Sequence, residues 1–364
     1  MIPLVDLKIQ YQTIKTKIDM AIANVIEDSA FIGGKYVQAF EEAFKSYVGV
    51  SYCIGCANGT DALEISLKAL GIGSGDEVIV PAHTWISTAE SVTTIGAKPI
   101  FVDTISNLYT INVNHIEAKI TPKTRAIIPV HLYGLPADID VIMEIAKKHN
   151  LKVIEDCAQA HGSKYKGQNV GTFGDAATFS FFPGKNLGAY GDAGAIVTNN
   201  EDIATLARMI ANHGRLDKYD HYLEGRNSRL DGLQAAILSV KLPYLNTWTE
   251  LRRQHAEIYN QYLGSSSLVI PKEPEYAYHV YHLYVIQTEN RTEVQQRLKL
   301  SNILTGIHYP IALPMLKAYQ YIGASDVDFP ISISNSHKIL SLPMYPELTK
   351  EQIEFICSVL LSIS

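Results

Sequence analysis

Short unbroken apolar runs alternate with helically spaced apolar residues over the first 200 residues of this chain. No other feature restricts the fold as strongly. GDEVIVP (75–81) reads as a strand opened by a glycine turn, and TAESVTTIG (88–96) as a helix ended by Gly96. KPIFVD (98–103), TRAIIPV (124–130) and LKVIED (151–156) read as further strands, with helices expected at 113–120 and 138–150. Strands joined through helices imply βαβ units and a mainly parallel sheet. Such strands are buried on both faces, so they read as continuous Val and Ile rather than as an alternation. ATFSFF (177–182) and GAIVTN (194–199) come next with no long helix between them, followed by helices at 201–212 and 231–262, the second bent near Pro243. The remainder carries its own strand (281–288) and a terminal helix (350–362). The chain therefore reads as a large α/β domain over 1–245, N-terminal segment included, and a smaller C-terminal α/β domain over 246–364.

In open parallel sheets, ligands gather at the carboxyl ends of the strands. Asp156 ends one strand, Lys185 follows another in SFFPGKNLGAYGDAG, and His83 and Trp85 follow GDEVIVP. A lone lysine in a glycine-rich loop is either a solvated side chain or an amine placed to form a Schiff base with a carbonyl. A strand-end aspartate is either a turn residue or the partner of a protonated pyridine nitrogen, whose charge makes the ring an electron sink. Gln159, three residues beyond Asp156, can donate to a phenolic oxygen on such a ring. NGTDALEISLKAL (58–70) opens a helix, and its first turn serves either as ordinary capping or as an anion cradle in which Gly59 admits a phosphate. Trp85 is either a core residue or a stacking platform. GIGSGD (71–76) lies after a helix and before a strand, the reverse of the dinucleotide motif, and is set aside. A phosphate cradle, a stacking aromatic, a pyridinium partner and a Schiff-base lysine are together the requirements of pyridoxal 5′-phosphate.

Composition removes other classes. Of 364 residues, 47% are hydrophobic and 19% charged, enough to bury a large core. The net charge of −6 and scattered Lys and Arg disfavour a nucleic-acid partner. MIPLVDLKIQYQ lacks the basic start and apolar core of a signal peptide, and no apolar run approaches the ~18 residues of a membrane span. The expected location is the cytoplasm. Four cysteines make no disulfide scaffold, and the Cys53/Cys56 pair, lacking a second ligand pair, reads as small buried side chains with no metal.

The segments CANGTDALEISLKAL, GDEVIVPAHTWISTAE, VIEDCAQAHGSKYKG, FSFFPGKNLGAYGDAGAIVTN, NSRLDGLQAAIL and TGIHYPIALPMLKAY, in that order, resemble the DegT/DnrJ/StrS family of sugar aminotransferases over nearly the whole chain. The resemblance implies fold-type I architecture with a mainly parallel seven-stranded sheet. It makes Lys185 the cofactor lysine and Asp156 the ring-nitrogen partner, with Gln159 at the ring oxygen and Trp85 stacking. Gly59, Thr60 and Ser180 would hold the phosphate, joined by Asn227 from the neighbouring subunit of a homodimer with shared sites. His161, His308 and Tyr309 would touch substrate. It also implies a ping-pong transfer from glutamate to a UDP- or dTDP-linked keto-hexose for amino sugars of surface glycans such as lipopolysaccharide O-antigen. Pro183 and Asp192 flank the lysine as in C3-aminating relatives. C4 amination, a PLP-dependent dehydratase and a non-catalytic regulator are the alternatives.

Overall fold

The computed structural model describes residues 1–363. Helices α1 (Leu7–Glu27) and α2 (Gly34–Val48) precede strand β1 (Tyr52–Cys56), and the Asp6 carboxylate caps α1 through the Lys8 and Ile9 amides. Then come α3 (Gly59–Ala69), β2 (Glu77–Pro81), α4 (Ser87–Thr94), β3 (Lys98–Val102), β4 (Thr124–Ile127), α5 (Ile139–His149) and β5 (Lys152–Asp156). A small ribbon, β6 (Lys164–Tyr165) and β7 (Gln168–Asn169), leads into β8 (Ala176–Ser180) and β9 (Gly194–Thr198). The chain continues through α6 (Glu201–Ala211), α7 (Gly232–Lys241) and α8 (Leu245–Leu263). It closes with β10 (Ala277–Tyr278), β11 (Tyr284–Gln287), α9 (Arg291–Leu300), α10 (Pro330–Lys338), β12 (Ile339–Leu342) and α11 (Lys350–Leu361).

Seven strands form one sheet in the order β1-β9-β8-β5-β4-β2-β3. β9 runs antiparallel to both neighbours, and the other pairings are parallel. The expected mainly parallel seven-stranded sheet is therefore present. The reversed strand explains why no long helix separates 177–182 from 194–199: an antiparallel neighbour needs no crossover.

Two expected helices differ. Residues 113–120 form two short 3₁₀ turns, Val113–His115 and Glu117–Lys119, rather than an α-helix. Only Ile116 in this stretch is fully buried, too little apolar anchorage to hold so short a helix. The stretch 231–262 divides into α7 and α8 at a 3₁₀ turn, Leu242–Tyr244, where Pro243 withholds its amide.

Aromatic packing sets the site's foundation. Phe40 and Phe44 of α2 meet Phe181 edge to face at 5.3 and 5.1 Å, and Phe44 meets Phe179 at 5.0 Å. This cluster clamps the end of β8, from which the Lys185 loop departs. A separate core joins α8, β11, α9, β12 and α11 around Tyr259, Tyr284, Leu340 and Ile356. Ile2 belongs to that second core and bridges to Ile303. The N-terminus is thereby drawn across to the cavity, which Leu4 and Val5 help to line.

Candidate active site

A cavity of about 720 Å³ opens at the carboxyl ends of the sheet strands. Lys185 projects into it from the loop after β8. The loop is held by the Lys185 amide on the Phe182 carbonyl (2.8 Å) and by buried Lys241, whose Nζ donates to the Gly188 carbonyl at 2.7 Å. Burial pushes the Lys185 ammonium down to about 8, against the opposing pull of the Asp156 carboxylate.

Asp156 ends β5 and is 5% exposed. Its Oδ2 accepts from Thr88 Oγ1 at 2.9 Å and its Oδ1 from the Ala158 amide at 3.1 Å. Burial raises its pKa, and these two hydrogen bonds oppose the rise, as does the positive charge of Lys185. The neighbouring Glu155 faces the other side of the strand. It accepts from His131 Nε2 (3.1 Å) and from the amides of Gly171, Phe173 and Gly174. His131 Nδ1 in turn accepts from the Ala137 amide, so the polar atoms of His131 and Glu155 serve the fold, with Cys157 beside them.

The first turn of α3 forms another wall. Asn58 caps it by accepting from the Asp61 amide at 2.8 Å, and the Gly59 and Thr60 amides are first-turn donors without an intrahelical partner. A Cβ on Gly59 would lie 2.7 Å from Ser180 Cβ, so glycine is required for the helix start to sit against the end of β8. Trp85, 56% exposed, tilts against Tyr309 at 5.2 Å. Gln159 Oε1 accepts from the Tyr133 amide (2.7 Å), and its Nε2 donates to Tyr309 Oη (3.1 Å). The Tyr133 hydroxyl donates to the His308 carbonyl, and His308 Nδ1 pairs with Ser341 Oγ at 2.8 Å. Burial lowers the His308 pKa to about 4, leaving a neutral imidazole at the cavity wall.

Gly59, Thr60, Trp85, Asp156, Gln159, Ser180, Lys185, His308 and Tyr309 thus surround one space, although 250 positions separate the first from the last. Two other expected residues lie elsewhere. His161 is fully buried between Phe179 and Phe181, with its pKa lowered to about 3, and does not line the cavity. It packs in the aromatic core against both of those rings. Asn227 is exposed and outside this chain's cavity lining.

Sequence reasoning missed Thr88, Asn186 and His282. Thr88 lies one helical turn beyond Trp85, where the rule about strand ends could have found it. Asn186 adjoins Lys185 in sequence. Its Oδ1 pairs with His282 Nδ1 (3.1 Å) and its Nδ2 donates to the Val280 carbonyl (3.2 Å), tying the lysine loop to the segment before β11.

The residues present fit pyridoxal 5′-phosphate: an amine with a depressed pKa, a buried carboxylate that accepts from two donors, and a glycine and a serine beside the free amides of a helix start. Fold and site together define a PLP-dependent aminotransferase. Residues 12–361 match the DegT/DnrJ/EryC1/StrS aminotransferase family, and the chain belongs to it. A relative from Geobacillus stearothermophilus named pleiotropic regulatory protein is 46% identical, covering 98% of this chain and 96% of its own. UDP-N-acetyl-3-dehydro-α-D-glucosamine 3-aminotransferase from Acidithiobacillus ferrooxidans is 44% identical over 99% of this chain and 97% of its own. The crystal structure of S. venezuelae DesV in complex with a ketimine intermediate superposes with a TM-score of 0.98 at 38% identity, covering 100% of this chain and 98% of that one.

Proposed function

We propose that this chain moves an amino group from glutamate to a nucleotide-linked 3-keto-hexose, carried on UDP or dTDP, for amino sugars of a surface glycan such as lipopolysaccharide O-antigen. The observation that carries the reading is Lys185 and Asp156 lining one cavity with the Gly59–Ser180 cradle at its wall. The position of amination rests on the name of the Acidithiobacillus relative, which acts at C3, and on Pro183 and Asp192 beside the lysine.

Bound pyridoxal 5′-phosphate supplies an electron-withdrawing ring and an aldehyde carbon able to carry an amine. Gly59, Thr60 and Ser180 would hold its phosphate, and Asn227 of a second subunit would complete the cradle. Trp85 would stack on the ring, and Gln159, whose Nε2 now donates to Tyr309 Oη, would donate to its phenolic oxygen. Asp156 would keep a positive charge on the ring nitrogen, and Thr88 and the Ala158 amide donate to its two carboxylate oxygens. Lys185 Nζ would hold the group covalently and, once freed by the amino donor, would serve as the base for the donor's α-carbon proton. An amine titrating at about 8 holds a substantial neutral fraction near neutral pH, as a base must. His308 and Tyr309 face the sugar. Residues 1–245 carry the cofactor and 246–364 close over the substrate, a division supported by the separate core around Tyr259 and Tyr284. The working unit is a cytoplasmic homodimer, and no described helix is long and apolar enough to cross a membrane.

The test supplies the purified protein with glutamate and a panel of UDP- and dTDP-linked keto-sugars, and locates nitrogen in the product by nuclear magnetic resonance. Nitrogen at C4, with 3-keto substrates unreacted, overturns the C3 reading. Loss of water in place of nitrogen gain identifies a dehydratase. Absence of any glutamate-driven spectral change supports the regulatory role named for the Geobacillus relative. Mixing inactive Lys185→Ala with an inactive Asn227→Ala protein restores activity if sites are shared; failure after demonstrated subunit exchange removes Asn227 from the partner's site.

A further inference from the structure

The wall that receives the phosphate carries an unexpected charge. Asp61, in the first turn of α3, lines the cavity, and Glu64 follows one turn later. Both carboxylates are nearly buried, with side chains 11% and 12% exposed. Acidic groups suit a helix N-terminus on their own, because they answer the positive end of the helix dipole. They suit a phosphate dianion badly, because they consume that same positive end and repel the ligand.

Arg226 resolves the conflict. It reaches α3 from a loop more than 160 residues away in sequence. Its Nη2 lies 2.8 Å from Asp61 Oδ1, and its Nη1 donates to Glu64 Oε2. One guanidinium, itself only 37% exposed, thus bridges both acids. Asn227 follows it directly in the chain and is exposed.

We propose that Arg226 is the counter-charge that makes the α3 N-terminus receptive to the cofactor's phosphate. By pairing with Asp61 and Glu64 it leaves the Gly59 and Thr60 amides to act on the anion without two opposing carboxylates beside them. Arg226 is a positioning and charge-setting residue that need not touch the cofactor. The inference rests on the phosphate lying between Gly59, Thr60 and Ser180.

Pyridoxal, which keeps the aldehyde and ring but lacks the phosphate, separates the possibilities. Apo protein is titrated with pyridoxal 5′-phosphate and with pyridoxal, following absorbance, for wild type, Arg226→Gln, Arg226→Lys and Arg226→Gln/Asp61→Asn. Arg226→Gln should bind pyridoxal 5′-phosphate on the order of ten- to a hundredfold more weakly at low salt, the deficit shrinking as ionic strength rises. Pyridoxal affinity should be unchanged. Arg226→Lys and the double variant should recover most of the loss, because each restores the charge balance.

Equal weakening toward both ligands in Arg226→Gln overturns the proposal in favour of a purely structural tie, as does failure of Asp61→Asn to rescue. A wild type that binds both ligands equally well instead removes the phosphate from the α3 cradle, and with it the placement on which this inference stands. A wild type that prefers the phosphorylated ligand, with Arg226→Gln keeping the full preference, refutes the role of Arg226 alone.

Discussion

Thr88→Val removes one hydrogen bond from the Asp156 carboxylate and little else. The side chain is fully buried, its hydroxyl lies 2.9 Å from Asp156 Oδ2, and among the described residues its other side-chain partner is Thr84 Oγ1 at 3.4 Å. Burial holds the Asp156 pKa above its ordinary value, and the Thr88 hydroxyl opposes that rise. A hydrogen bond to a charged group contributes about 1.5–3 kcal/mol. At about 1.36 kcal/mol per pKa unit, its loss should raise the Asp156 pKa by about 1–2 units further. Catalysis needs the carboxylate ionised, so the acidic limb of the pH profile should move about 1–2 units toward neutrality, with the high-pH plateau less affected. Absorbance changes of the glutamate half-reaction, followed from pH 5 to pH 9 or so, measure this directly. The same substitution has a linked effect on folding. A carboxyl whose folded pKa lies above its unfolded value gives stability that is complete below the unfolded pKa and is lost as pH rises through the folded one. Raising the folded value further deepens that loss at neutral pH and spares the acid side. The Tm gap between wild type and Thr88→Val, measured on apo protein, should therefore be wider near neutrality than in acid. An unmoved acidic limb together with a pH-independent Tm gap would refute the assignment of Thr88 as the residue that keeps Asp156 charged.

Four further outcomes are expected. In apo protein Lys185 should titrate at about 8, read by pH-dependent reductive methylation; Asp156→Asn should lower the value further, since the carboxylate opposes the effect of burial, and a rise would contradict the geometry. Borohydride treatment of the protein with its cofactor should fix a pyridoxyl group on Lys185, and Lys185→Ala should lose at least the roughly 10²–10⁴-fold supplied by a positioned base; a label on another lysine removes the assignment. Gly59→Ala places a Cβ 2.7 Å from Ser180 Cβ, and overpacking of about 1–3 kcal/mol should weaken cofactor binding about tenfold or more with far-ultraviolet circular dichroism unchanged. Phe44→Ala, which removes a fully buried ring from the cluster beneath the lysine loop, should cost about 3–5 kcal/mol in denaturant unfolding of the apo protein, and a loss under about 1 kcal/mol would show that the cluster does not anchor the loop.

Local pattern was enough to announce the sheet. The Val and Ile runs of β2 and β5, and the apolar Ala126–Ile128 run through β4, report burial on both faces, as a covered parallel sheet provides. With the strands placed, Asp156 and Lys185 fall at strand ends, where such sheets bind ligands. These positions are legible because each depends on a few neighbouring residues. Helix formation over 113–120 was misread because apolar spacing was present without the tertiary burial needed to hold a short helix.

What the chain's own pattern determined is the class of fold and the strand ends at which Asp156 and Lys185 stand. Tertiary closure decided the rest. Thr88 meets Asp156 across 68 residues, Asn186 meets His282 across 96, and Arg226 meets Asp61 and Glu64 from a distant loop. None of these pairs shares a periodicity, so no local spacing records it. His161 shows the same limit in reverse: it stands five residues from Asp156 in sequence, yet it packs between Phe179 and Phe181 while Asp156 faces the cavity. The physical reason is that alternation and helical spacing encode which face of an element is buried, whereas a site is assembled from the faces of several elements. Which of those faces meet is settled only when the sheet, the returning N-terminus and the second core close on one another.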